Sequence, residues 1–141
     1  MEETIVKVEH LSHRYSVDWA IRDINLEVRS RGVFGLLGSN GAGKSTTMNI
    51  ICGVLNQTEG NVYINGISLR ENPVEAKKYI GFLPQRPPLY PNMTVEEYLT
   101  YCAALRLMDE AAIPAAVERA MDRCGILHFR SRLLKNLSGG Y

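Results

Sequence analysis

The sequence predicts an α/β chain, and three patterns carry the prediction. Ile24, Leu26 and Val28 alternate with Asp23, Asn25 and Glu27, the pattern of a half-buried strand in an antiparallel sheet. Residues 33–37 are apolar without alternation, as in a strand covered on both faces, and Gly38 ends them ahead of a helical pattern over residues 43–54. Beyond residue 86 the texture turns helical. Thr94-Val-Glu-Glu97 is a capping-box sequence, and Val117, Ala120, Met121 and Cys124 recur at i, i+3, i+4 and i+7.

Taken in order, residues 4–8 alternate with Ile5 and Val8 inward and Lys7 and Glu9 outward, predicting a first strand. Residues 21–28 supply the second, and Arg31-Gly32 marks a turn. In the helix after Gly43 the apolar positions are Met48, Ile51, Cys52 and Leu55. Val62-Tyr-Ile64 followed by Asn65-Gly66 predicts a short strand entering a tight turn. Pro73 suits the first turn of a short helix, and residues 79–83 read as another short apolar strand. Arg86-Pro-Pro88 with Pro91 predicts a loop, because each proline removes a backbone donor and restrains its neighbour. The helix opened at Thr94 should reach about Leu107. The next should begin near Pro114, which is costly inside a helix, and stop at Gly125.

The 141 residues are 45% hydrophobic, enough for one compact domain with a core. Sixteen Lys and Arg against fifteen Asp and Glu give a formal charge of +1, mixed along the chain. That balance argues against a surface for nucleic acid or for an anionic membrane. No apolar stretch approaches the roughly eighteen residues of a membrane span. Met-Glu-Glu-Thr at the start carries acid where a secretory signal carries Lys or Arg. Cys52, Cys102 and Cys124 are odd in number and far apart, which suits packed thiols in a reducing, cytoplasmic setting.

The chemistry concentrates in Gly38-Ser39-Asn40-Gly41-Ala42-Gly43-Lys44-Ser45, which fits G-x-x-x-x-G-K-[ST], the phosphate-binding loop. A triphosphate is a dense anion. It needs backbone amides pointing inward and no side chains in the way, and glycines at 38, 41 and 43 let the chain curl around it. The helix that follows points its positive end at the phosphates. In this arrangement Lys44 reaches the β- and γ-phosphates and the Ser45 hydroxyl holds Mg²⁺. The buried strand before the loop and the amphipathic helix after it are the required context.

The flanks narrow the reading. Leu137-Ser138-Gly139-Gly140 resembles the signature motif of ABC ATPases. Leu11-Ser-His-Arg-Tyr15, followed by Ala20-Ile-Arg-Asp-Ile-Asn-Leu-Glu-Val28, is similar to that family's lead-in to its phosphate loop, in which the aromatic, here Tyr15, stacks on adenine. Gly81-Phe-Leu-Pro-Gln85 resembles the strand leading to the family's Q-loop glutamine. The resemblance covers the whole chain in the family's order, and residues 85–107 look most like ABC-2-type exporter ATPases.

The resemblance implies a P-loop NTPase with a RecA-like core, an N-terminal antiparallel β subdomain and a helical subdomain, divided at about residues 1–85 and 86–141. It implies ATP and Mg²⁺ as ligands, with Thr46 among the nucleotide contacts beside the loop residues 38–45. Lys44 and Gln85 take catalytic roles, with Gln85 also on the metal. Ser138, Gly139 and Gly140 face the ATP of a second ATP-binding subunit. A transmembrane permease is the expected partner through the Q-loop region, placing the protein on the cytoplasmic face of the membrane and coupling ATP hydrolysis to transport, in the export direction. Two other readings share these motifs: a soluble ABC protein of translation or DNA repair, and a module that binds nucleotide without turnover. Two departures stand out. Tyr141 occupies a position where the family most often has Gln. Residues 1–141 also stop short of where the family has its Walker B aspartate, catalytic glutamate and switch histidine, so the chain reads as a truncated ATPase domain. His10, His13 and His128 match none of the missing groups and read as ordinary surface or loop residues.

Overall fold

The computed structural model describes residues 4–29 and 32–141. The predicted turn at Arg31-Gly32 thus falls partly outside the described residues. The chain divides into two units, Met1–Phe82 and Leu83–Tyr141.

The first unit is built on a four-stranded antiparallel sheet of β1 (Val6–Arg14), β2 (Trp19–Val28), β3 (Glu59–Ile64) and β4 (Ile67–Ser68), in the order β2-β1-β3-β4. Helices α1 (Lys44–Ile51) and α2 (Pro73–Lys77) accompany it. Val8, Leu11, Ile21, Val62 and Ile64 of the sheet share one core with Ile50 of α1 and Ala76 of α2. The Asn65-Gly66 turn has φ of 48° and 75°, the left-handed pair that a two-residue hairpin needs to match the strand twist.

The first strand runs six residues beyond the predicted end at Val8, and the reason is a bulge. Val8 pairs with Leu26, but Leu11 pairs with Ile24, so β1 spends one residue more than β2 across that step. The extra residue centres on His10, at φ 49°. Its amide donates to Asn25 Oδ1 at 2.8 Å and its ring meets Asp23 Oδ1 at 2.8 Å. A compensating extra residue in β2 falls at Asp23, φ 50°, whose amide donates to Ser12 Oγ at 2.9 Å. A bulge breaks the two-residue period, and Leu11, Ser12 and His13 are buried in succession.

Two predicted strands are absent. Residues 33–37 form no strand, and Val33 and Leu37 are 102% and 92% exposed. A strand requires a neighbour to take its backbone bonds, and none of the described strands runs beside this segment. Residues 79–83 likewise form none. Tyr79 and Ile80 donate to the carbonyls of Ala76 and Lys77, trailing off the end of α2.

The second unit packs α3 (Val95–Leu105) against α4 (Ile113–Arg123). The capping box forms as the sequence predicts: Glu97 N donates to Thr94 Oγ1 at 3.2 Å, and Thr94 N to Glu97 Oε2 at 2.8 Å. Leu107, at φ 57°, lies past the end of α3. The buried stripe of α4 is Ile113, Val117 and Met121, narrower than predicted, since Ala120 and Cys124 face solvent. Gly125 follows the helix at φ 68°. The chain then returns to the start of α3. Val95 and Glu96 donate to the carbonyls of Arg132 and Arg130, while Leu134 and Lys135 donate to those of Met93 and Pro91. Among the described residues no helix is long and apolar enough to cross a membrane.

Candidate phosphate-binding site

Residues 38–42 form an exposed loop that feeds through the half-buried Gly43 into α1. Gly41 and Gly43 sit at φ 83° and 87°, where an L side chain costs about 1–2 kcal/mol. Ala42 N donates to Ser39 O at 3.2 Å, closing a turn within the loop. Gly43 is the N-cap of α1 and carries no side chain to cap it, and the first turn holds no acidic residue. The leading amides of the helix therefore lack the side-chain acceptor that usually satisfies them. With the positive end of the helix dipole at the same place, this terminus is suited to an anion.

Lys44 Nζ folds back along the loop and donates to the carbonyl oxygens of Gly38 and Ser39, both at 2.7 Å. A Cβ at Gly38 would stand 3.4 Å from Ala42 Cβ and 3.6 Å from Lys44 Cδ, in ordinary contact with both. Ser39, Asn40, Ala42 and Ser45 are exposed around the loop. Thr47 ties α1 to the loop through its amide and hydroxyl, each 2.9 Å from Gly43 O.

Tyr15, just past β1, is brought to the same place. Its hydroxyl lies 3.1 Å from Thr46 Oγ1 in the first turn of α1, and the residue is 67% exposed. At the start of β2, Trp19 is flanked by the guanidinium groups of Arg14 and Arg22, at 5.6 and 5.7 Å from its ring. The structure thus gathers Tyr15, residues 38–45 and Thr46 in the first unit. Gln85 lies exposed in a bend of the second unit, where Ser138, Gly139 and Gly140 form an exposed turn closed by Tyr141 N donating to Ser138 O at 3.1 Å. The Tyr141 ring meets Phe129 edge-on at 4.8 Å. Among the described residues no three His, Cys, Asp or Glu side chains converge as a metal site.

One expectation needs correction. His13 is a core residue, 7% exposed, and not a surface or loop histidine. His10 sits at the β1 bulge and His128 in an exposed turn. Alternation continued from Val8 puts His13 outward, and the bulge between Val8 and Leu11 shifts that phase.

The chain belongs to the ABC transporter family, whose pattern it matches over residues 21–141. Among relatives, it is 34% identical over 139 residues to the rat (Rattus norvegicus) phospholipid-transporting ATPase ABCA3, covering 96% of this chain and 8% of that protein. It is 32% identical over 136 residues to the molybdate/tungstate import ATP-binding protein WtpC of Pyrococcus abyssi, covering 96% of this chain and 39% of that one. Among solved structures, CbiO1 of Clostridium perfringens, part of the ABC transporter complex CbiONQ, superposes with a TM-score of 0.81 at 29% identity, over 99% of this chain and 57% of that one. The chain therefore spans well under two thirds of the length of these proteins.

Proposed function

We propose that residues 1–141 are the nucleotide-binding part of an ATP-binding subunit that drives an ABC transporter. The observation that carries this reading is the uncapped start of α1, reached through two left-handed glycines and flanked by Lys44. The amides of Gly38, Ser39, Asn40, Gly41, Ala42 and Gly43 would surround the β-phosphate. Lys44 would leave the carbonyls of Gly38 and Ser39 for the β- and γ-oxygens, exchanging neutral acceptors for charged ones. Mg²⁺, when bound, neutralises the charge that the phosphates share. Ser45, exposed at the helix start, supplies a hydroxyl suited to that ion, and Gln85 an amide oxygen. Tyr15, a largely exposed residue, would stack its ring on adenine, with Thr46 at its hydroxyl. Ser138, Gly139 and Gly140 would meet the nucleotide of a second ATP-binding subunit, and the region after Gln85 a permease that holds the protein at the cytoplasmic face of the membrane. The chain's charge of +1 gives nucleic acid no role in this reading.

Hydrolysis needs a group that positions the attacking water, and the family resemblance places that glutamate beyond residue 141. The export direction rests on residues 85–107. WtpC, which resembles the chain to a similar degree, is an importer, so direction is decided by transport itself. The test is phosphate release with Mg-ATP from residues 1–141 alone and from the complete domain carrying them, the latter also with its permease in vesicles. Turnover is expected only from the complete domain, with substrate moving out of the cytoplasmic compartment. Steady turnover by residues 1–141 alone would overturn the assignment of partial-domain chemistry.

A further inference from the structure

His13 is the most deeply buried titratable side chain near the site, and nothing in the phosphate chemistry uses it. It is 7% exposed, and its ring centroid lies 4.8 Å from that of Tyr15, with the two planes at 86°. Thr58 Oγ1 accepts from the Arg14 amide at 3.2 Å and lies 3.4 Å from His13 Nδ1. Nε2 is buried without a hydrogen-bond partner among the described residues. A buried polar atom left unsatisfied is costly, and the Thr58 contact and the perpendicular pairing with Tyr15 stand against that cost.

The backbone explains why that pairing reaches the site. His13 is the register partner of Ile21 across β1 and β2. Ile21 and the Ala20 carbonyl abut Gly43, where the phosphate loop enters its helix. Two residues past His13, the Tyr15 hydroxyl is tied to Thr46 on the first turn of that helix. The end of β1 thus places Tyr15 between two contacts, the perpendicular His13 ring and the Thr46 hydroxyl on the helix that carries the phosphate loop.

We propose that His13 is a positioning residue for the base platform: its buried ring fixes the orientation of Tyr15, so that the aromatic face is set before nucleotide arrives. This rests on the nucleotide-site reading above and extends it to a residue that touches no ligand. Fixing a two-torsion side chain in advance removes an ordering cost from binding.

The experiment measures, by calorimetry on the complete domain, binding of ATP and of inorganic tripolyphosphate, which has the charge but no base. The variants are His13→Leu, which fills the space without a flat ring, and His13→Phe, which keeps the ring and drops its polar atoms. Each is made alone and together with Tyr15→Ala. Expected is a loss in ATP affinity of about three- to tenfold for His13→Leu, the scale of one aromatic pairing, with tripolyphosphate affinity unchanged. His13→Phe should recover ATP affinity to within about twofold, and neither substitution should matter once Tyr15 is Ala. Equal losses toward both ligands, a His13→Phe no better than His13→Leu, or an effect that persists with Tyr15→Ala would each overturn the proposal. The nucleotide-site reading fails on a different observation, namely unchanged affinity for both ligands in Lys44→Ala.

Discussion

Ile21 lies directly beneath Gly43: a Cβ placed on the glycine would stand 2.2 Å from Ile21 Cγ2 and 2.8 Å from the Ala20 carbonyl oxygen. The left-handed backbone at Gly43 and this contact both exclude a side chain. Gly43→Ala should cost about 1–2 kcal/mol for the conformation and about 1–3 kcal/mol more for overpacking. A lowered urea midpoint in the complete domain is the expected readout. Adding Ile21→Ala should return part of the loss by removing the clashing carbon, a non-additivity that a double-mutant cycle measures.

Lys44→Ala should weaken ATP binding roughly tenfold or more, since a charge-assisted contact contributes about 1.5–3 kcal/mol. Its two bonds to loop carbonyls also disappear, so some of the change will appear as a looser loop in the absence of nucleotide. Calorimetry checks the affinity, and amide exchange at residues 38–43 checks the loop.

How much of this was legible beforehand follows from which contacts are local. The helix start at Gly43, the Asn65-Gly66 turn, the Thr94–Glu97 capping box and the Pro114 start are each decided within a few residues, and each stands where the pattern put it. Residues 33–37 and 79–83 are apolar enough for strands, but strand formation depends on a partner far along the chain, and no described strand supplies one. The extension of β1 to Arg14 and the burial of His13 were hidden for another reason. The paired left-handed residues His10 and Asp23 reset the alternation of both strands, and neither is a glycine that would have announced it.

Ser138→Arg should leave ATP binding by the isolated subunit intact and abolish ATP-driven dimerisation. Ser138 is exposed on a turn of two glycines, so a bulky cation there is tolerated by the fold and obstructs a facing phosphate site. Light scattering of the complete domain with ATP is the check, and a normal dimer would count against the two-subunit arrangement.

Asp23 gives a prediction in pH. A hydrogen bond from His10, and then one from Asn25, holds its carboxyl below the ordinary value. A depressed carboxylate contributes stability above the unfolded-state value, about 3.9. That contribution is lost as pH falls through the lower folded-state value. Both partners are exposed, so the effect is small. Asp23→Asn keeps a residue that tolerates the left-handed backbone and removes the titration. Its urea midpoint should therefore fall less steeply than the parent's below about pH 4.

The four backbone bonds that fasten residues 130–135 to residues 91–96 give the second unit a short lever. The bend at Gln85 opens a loop whose far end, at Pro91 and Met93, is grasped by Lys135 and Leu134. Three residues beyond Lys135 the Ser138 turn begins. The shortest bonded route from Pro91 and Met93 to the exposed glycine turn therefore runs through these main-chain bonds and residues 134–138, without passing along α3 or α4.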